Sequence, residues 1–215
     1  MKIPVVHKVL EANDAIAASL REAFDSRGLY VFNLLGSPGA GKTSLLEKTL
    51  QLAGGSPRIG VIEGDLATEF DAQRVARHDA PVVQINTGGN CHLDAAMVRQ
   101  ALDHLDLSNL DVLAIENVGN LVCPAAWDLG EREKVVVSSV PEGDDKPAKY
   151  PSMFSGAAAV ILNKCDLVPY VAFSLERFEE HLRSVNPEAP LMQLSCTTGQ
   201  GFDPWLSWLR SRVRT

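Results

Sequence analysis

The chain has 215 residues, 46% of them hydrophobic, with 27 acidic side chains against 20 basic ones and a net charge of −7. This excludes a disordered or fibrous protein, and the acidic balance excludes broad electrostatic attraction to nucleic acid. The length suits a single domain spanning residues 1–215, with residues 1–28 supplying a helix ahead of the first sheet strand.

Val5–Ser26 reads as an amphipathic helix, with Leu10, Ile16, Ala17, Leu20 and Phe24 near helical spacing and Gly28 as its stop. The strand Leu29–Leu35 runs into Gly36-Ser37-Pro38-Gly39-Ala40-Gly41-Lys42-Thr43, a complete G-x-x-x-x-G-K-[ST] loop, and the helix Thr43–Leu52 follows. Glycines there let backbone amides turn inward around phosphate oxygens, and the helix start adds its partial positive charge. Lys42 reaches the β- and γ-phosphates and the Thr43 hydroxyl ligates Mg²⁺, so Gly36, Ser37, Gly39, Ala40, Gly41, Lys42, Thr43 and Ser44 are expected at the nucleotide.

Further strands are expected at Arg58–Glu63, Pro81–Asn86, Asp111–Glu116, Lys134–Val140, Ala158–Asn163 and Leu191–Ser195. Helices are expected at Glu69–Arg77, Leu93–Leu105, Leu175–Val185 and Asp203–Arg212, and Pro141–Pro151 reads as a polar loop. Near-continuous apolar strands alternating with helices predict an α/β fold with a mostly parallel central sheet of about seven strands flanked by helices. Two strands end in carboxylates, at Glu63-Gly64-Asp65 and at Glu116-Asn117-Val118-Gly119. Asp65 and Glu116 are candidate Mg²⁺ ligands. Asp65 also serves as a candidate for orienting the attacking water, and Gly119 for sensing the γ-phosphate through its amide. The bland alternative is that these carboxylates only cap the turns that follow.

The base is read from Asn163-Lys164-Cys165-Asp166, at the end of a strand. Guanine presents two N–H donors side by side, and the Asp166 carboxylate can accept both. Lys164 would lie along the purine face, Asn163 would tether neighbouring loops, and Ser195-Cys196-Thr197 would back the base. A GTPase is therefore expected, working with GTP, GDP and Mg²⁺. The rival is a small-molecule kinase with the same phosphate loop, against which the guanine element argues.

Four cysteines (Cys91, Cys123, Cys165 and Cys196) lie scattered without a Cys-x-x-Cys pair, the usage of a reducing compartment. No apolar run is long enough to span a bilayer and Met1–Leu10 lacks a signal-peptide core, so a cytoplasmic location is expected.

Several strings carry more than generic chemistry: Ile62–Glu69 (IEGDLATE), Gln84–Asp94 (QINTGGNCHLD), Glu116–Pro124 (ENVGNLVCP) and Ser195–Gly199 (SCTTG). Together they resemble the HypB family of hydrogenase nickel-incorporation GTPases over about Val5 to Leu209, within the dimerising metal-insertion class of P-loop NTPases. The resemblance implies Cys91, His92 and Cys123 as ligands for nickel or zinc at the seam of a GTP-dependent homodimer. It also implies the zinc-containing accessory protein HypA as a partner and a hydrogenase large-subunit precursor as the indirect client, with urease or another nickel enzyme as the alternative. Adjacent residues on a regular helix point about 100° apart, so Cys91 and His92 can share an ion only at a helix start or in a site shared between protomers. Lys146, in the polar loop, is the candidate for reaching the neighbour's nucleotide. Many family members carry an N-terminal Cys-x-x-Cys-Gly-Cys motif or a histidine-rich tract. Neither occurs here, so high-affinity nickel storage is not expected. Cys165 and Cys196 are expected to be structural.

Overall fold

A computed structural model describes residues 7–65 and 70–213 of the chain. The expected helix start at Val5, the expected start at Glu69, and Leu66–Glu69 of the family string lie outside the described residues.

Seven strands form one sheet: β1 (Tyr30–Gly36), β2 (Ile59–Asp65), β3 (Val82–Asn86), β4 (Val112–Glu116), β5 (Glu133–Ser139), β6 (Ala157–Asn163) and β7 (Leu191–Gln193). Their order is β3-β2-β4-β1-β5-β6-β7 and every pairing is parallel. The helices are α1 (His7–Ser26), α2 (Lys42–Ala53), α3 (Phe70–Ala76), α4 (Ala95–Leu102), α5 (Lys146–Lys149), α6 (Pro151–Ser155), α7 (Leu175–Val185) and α8 (Phe202–Arg212).

Alternation along β1 shows why the strands are apolar on both faces. Phe32 and Leu34 pack with Leu45 and Leu46 of α2 and Trp205, Leu206 and Leu209 of α8. Val31 faces the other way, into the layer where Ala17, Leu20 and Phe24 of α1 meet Val98 and Ala101 of α4. A third cluster seats Phe154, Phe178 and Leu182 on Val136, Val160 and Leu162. Because all strands run the same way, every strand's C-terminal end opens on one edge of the sheet, where ligands bind in folds of this class. Among the described residues no helix is long and apolar enough to cross a membrane.

Strand bounds agree with the sequence reading to within a residue or two. Two segments depart from it further, each for a local reason. The helix expected from Leu93 starts at Ala95, because the Asp94 side chain caps it by accepting from the Met97 amide at 2.8 Å. It stops at Leu102, after which Asp103, His104 and Leu105 make tighter three-residue turns. The polar loop Pro141–Pro151 is not extended. A capping box at Ser139–Glu142 opens it, α5 gives it one helical turn, and Asp144 pins it to α7 by accepting from the Ser174 amide.

The helix that follows the phosphate loop is fixed from behind by one buried contact, in which the Trp205 indole donates to Thr49 Oγ1 at 2.8 Å. Trp205→Phe removes this bond and part of a side chain that is 0% exposed. It is expected to cost about 2 kcal/mol of stability, measured as a lower urea midpoint with the slope unchanged.

Candidate nucleotide and metal site

The open edge of the sheet holds a cleft of about 380 Å³ between the loop after β1, the ends of β2 and β4, and Lys164. Gly39, Gly41, Lys42, Thr43 and Ser44 line one wall. Gly41 caps α2 with φ 97°, and a Cβ there would fall 2.3 Å from Asn163 Nδ2. Only glycine lets the loop close so tightly. Lys42 is buried and its ammonium folds back over the loop, 3.4 Å from the carbonyls of Gly36 and Ser37. Ser37 donates its hydroxyl to Glu142, so the loop's first turn is tied to the capped segment after β5.

Facing the loop are the carboxylates. Thr43 Oγ1 donates to Glu116 Oε1 at 2.8 Å, and Glu63 and Glu116 are register partners on adjacent strands. Asp65 lines the same cleft. A hydroxyl and two or three carboxylates grouped beside a phosphate cradle are the donor set a hydrated Mg²⁺ takes. Gly119 presses on the phosphate loop so closely that a Cβ would lie 2.9 Å from the Pro38 backbone.

The base side is organised by one amide. Asn163, 1% exposed, donates to the Ala40 carbonyl at 3.0 Å and accepts from the Lys164 and Cys196 amides at 2.7 and 3.2 Å. Lys164 stands at φ 61° and its ammonium reaches the Gly39 carbonyl at 2.6 Å. Asp166 Oδ1 is buried with no hydrogen-bond partner among the described residues, as suits an acceptor held for a ligand's N–H donors. Buried Ser195 accepts from the Thr198 amide and shapes the loop behind, while Cys196 and Thr197 line a smaller recess beside α2. Burial pushes the Cys196 thiol up to about 12 and raises that of Cys165. Raised thiols of this kind are poorer nucleophiles and ligands than exposed ones.

Cys91, His92 and Cys123 come together within one chain, their ligand atoms all within 4.8 Å of one another. Cys91 and His92 precede the capped start of α4, so neither is bound by helical periodicity. Of the two arrangements open to these neighbours, the structure has the helix start. All three donors are thus brought together from a single chain. Cys91 Sγ lies 3.7 Å from His92 Nδ1, and Cys123 opens the 3₁₀ turn Cys123–Ala126. The Cys91 thiol beside it raises Cys123, whereas burial lowers His92. Both effects favour the neutral forms of Cys123 and His92, and a divalent ion would displace thiol protons on binding.

Three residues the sequence reading passed over help to build the two sites, Trp127 and Asn13 at this corner and Arg74 at the cleft. The Trp127 ring stacks on His92 with centroids 4.4 Å apart and planes at 24°. Buried Asn13 of α1 bridges the two ligand loops, accepting from the Ala95 amide at 2.9 Å and donating to the Asp128 carbonyl at 2.8 Å. Arg74, on α3, lines the nucleotide cleft and donates to Ser44 Oγ at 3.0 Å and to Glu47. An Asn at a helical core-facing position was the one sequence signal for Asn13; Trp127 and Arg74 had none. Lys146 is not brought to the cleft. Its ammonium lies 5.3 Å from the Tyr150 ring centre, and the segment carrying it folds back on α7.

A family model described as the CobW/HypB/UreG nucleotide-binding domain matches residues 30–193. The chain is 50% identical over 207 residues to the hydrogenase maturation factor HypB of Azotobacter vinelandii, covering 96% of this chain and 68% of that protein. It is 48% identical over 204 residues to HypB of Escherichia coli (strain K12), covering 95% and 70%. A crystal structure of HypB from Helicobacter pylori in complex with nickel superposes with a TM-score of 0.89 at 40% identity, covering 95% of this chain and 98% of that one.

Gly41→Ala forces a Cβ into the Asn163 amide at a positive φ. The strain is of order 2 kcal/mol, so nucleotide affinity by calorimetry is expected to fall roughly 30-fold or more while the far-ultraviolet circular dichroism stays unchanged.

Proposed function

Because the chain belongs to the CobW/HypB/UreG nucleotide-binding family, alongside the HypB hydrogenase maturation factors, we propose that it is a GTP-hydrolysing metallochaperone that delivers nickel to a [NiFe]-hydrogenase precursor. The observation that carries this reading is the convergence of Cys91, His92 and Cys123 at the end of the stretch that begins with Gly119 beside the phosphate loop. A soft thiolate and imidazole trio suits nickel or zinc, and three donors leave a position for exchange with a partner.

In this mechanism the loop from Gly36 to Thr43 and Ser44 cradles the phosphates with its amides. Lys42 exchanges its loop carbonyls for β- and γ-phosphate oxygens and neutralises charge on the transferred group. Thr43, Asp65 and Glu116 would hold Mg²⁺, which supplies further charge neutralisation when bound. Asp65 orients the attacking water, the Gly119 amide reads the γ-phosphate, and Asp166 pairs with the guanine edge while Lys164, Ser195, Cys196 and Thr197 enclose it. Phosphoryl transfer of this kind is positioning and electrostatics, so turnover is slow and the nucleotide acts as a switch. The family resemblance adds a GTP-dependent homodimer with the metal corner near its seam, Lys146 reaching towards the second nucleotide, and the accessory protein HypA as nickel donor or acceptor. Four free cysteines agree with work in the cytoplasm.

The base assignment predicts that Asp166→Asn exchanges preference from GTP to xanthosine triphosphate. An amide offers a donor where the carboxylate had only acceptors, and the two affinities measured side by side decide it. Unaltered GTP affinity removes Asp166 from the base site.

For the metal, equilibrium dialysis with nickel and with zinc is expected to show binding sharply weakened in Cys91→Ala and Cys123→Ala and unchanged in Cys165→Ala. Equal binding by wild type and the Cys91/Cys123 double variant overturns the cargo assignment.

A further inference from the structure

Asn117 follows Glu116, whose carboxylate holds Thr43, and precedes Gly119 by two residues. It is 1% exposed, its backbone amide donates to the Leu34 carbonyl of β1 at 3.0 Å, and its side-chain amide is bonded at both ends. Its Oδ1 accepts from the Val118 amide at 3.0 Å and from the Leu93 amide at 3.1 Å. Its Nδ2 donates to Asn33 Oδ1 at 3.2 Å, and Asn33 in turn donates to Glu131 Oε1 at 3.3 Å. The two backbone N–H donors by themselves fix which way the Asn117 amide faces, because only its oxygen can accept from them. One carbonyl oxygen is thus shared between the segment that faces the phosphates and the residue next to His92.

The other side of the metal corner is anchored differently. The Asn120 amide donates to the Gly36 carbonyl at 3.1 Å, and Asn120 Oδ1 accepts from the Val122 amide at 2.8 Å. Cys123 therefore hangs from the base of the phosphate loop, while Cys91 and His92 hang, through Leu93, from Asn117. A shift of the stretch from Asn117 to Gly119 relative to Asn120 changes the spacing between the two arms of the trio. We propose that Asn117 is the positioning residue through which the bound nucleotide sets the affinity of Cys91, His92 and Cys123 for their metal cargo. This deepens the metal-delivery reading above and rests on it.

A buried amide that bridges two loops could equally be a static brace, and the two roles differ in what a nucleotide does. A brace contributes stability that is the same in every nucleotide state. A positioning residue contributes a coupling free energy between two sites, which binding at one site reads out at the other.

The test has two arms. In metal-free wild type, amide hydrogen exchange at Leu93 and Val118 is followed by NMR with GDP and with a non-hydrolysable GTP analogue. Protection at both amides is expected to change together between the two forms. A Leu93 amide indifferent to the nucleotide while Val118 responds overturns the inference without any metal being present.

In the second arm nickel affinity is measured in both nucleotide forms. Wild type is expected to differ between them by about fivefold or more, and Asn117→Ala to bring that ratio close to one. Asn33→Ala removes a neighbouring buried amide but leaves the bond to Leu93. It is expected to lower the melting temperature and keep the wild-type ratio. A ratio unchanged in Asn117→Ala, or lost equally in Asn33→Ala, makes Asn117 a brace and overturns the inference. Absence of nickel binding by wild type in both forms sinks the delivery reading, and the exchange arm then decides the linkage by itself. It also decides if Asn117→Ala does not fold.

Discussion

At Gly41 the phosphate loop passes so close to Asn163 that any side chain would collide with its amide. The collision avoided is also the bond made: Asn163 donates to the neighbouring Ala40 carbonyl and accepts from the amides of Lys164 and Cys196. One 1% exposed amide, bonded through both its oxygen and its nitrogen, therefore holds the phosphate loop, the NKCD segment and the loop after β7 in a single register. Loops carrying this many inward-facing polar groups would otherwise have to be ordered by the ligand, at its cost in affinity. Asn163 holds the cradle through bonds within the protein, and Asp166 Oδ1 and the Lys42 ammonium, folded over loop carbonyls, are the groups a nucleotide would engage.

The parallel sheet makes that economy possible. Since all seven strands point one way, Gly36, Asp65, Glu116 and Asn163 end on the same edge despite wide separation in sequence. The same arrangement gathers acidic groups beside a site meant for phosphate, in a protein already carrying a charge of −7. Lys42, Lys164 and Arg74 offset some of this locally. A divalent cation held between Thr43, Asp65 and Glu116 would offset the rest, so the carboxylates that repel a bare nucleotide favour its Mg²⁺ complex.

The metal corner is built by another device, side-chain amides rather than charges. Asn13 ties the Ala95 amide to the Asp128 carbonyl, and Asn117 ties Leu93 to the stretch after β4. Uncharged buried amides fix the geometry of Cys91, His92 and Cys123 without adding charge beside them. The difference among the four thiols follows from packing. Cys165 and Cys196 are held protonated by burial, whereas Cys123 is raised chiefly by the Cys91 thiol, an effect that a shared metal would reverse.

Sequence alone was enough for the parts that are local. A complete phosphate loop between a strand and a helix, NKCD at the end of an apolar run, and strands apolar on both faces each state their chemistry in consecutive residues. The family strings pointed to Cys91, His92 and Cys123 as candidate ligands, and the fold brings the three together. Strand bounds shifted by a residue or two, and the start of α4 moved because the Asp94 side chain caps it, which leaves Cys91 and His92 ahead of the helix and able to converge. What consecutive residues could not state is which distant groups meet. The stacking of Trp127 on His92, the bridge made by Asn13 and the reach of Arg74 into the cleft all join segments tens of residues apart. The folding back of the segment around Lys146 depends on Asp144 finding the start of α7. Such contacts are decided by the order of strands in the sheet and the packing of helices over it. A hydrogen bond between remote loops leaves no periodic trace in the chain that makes it.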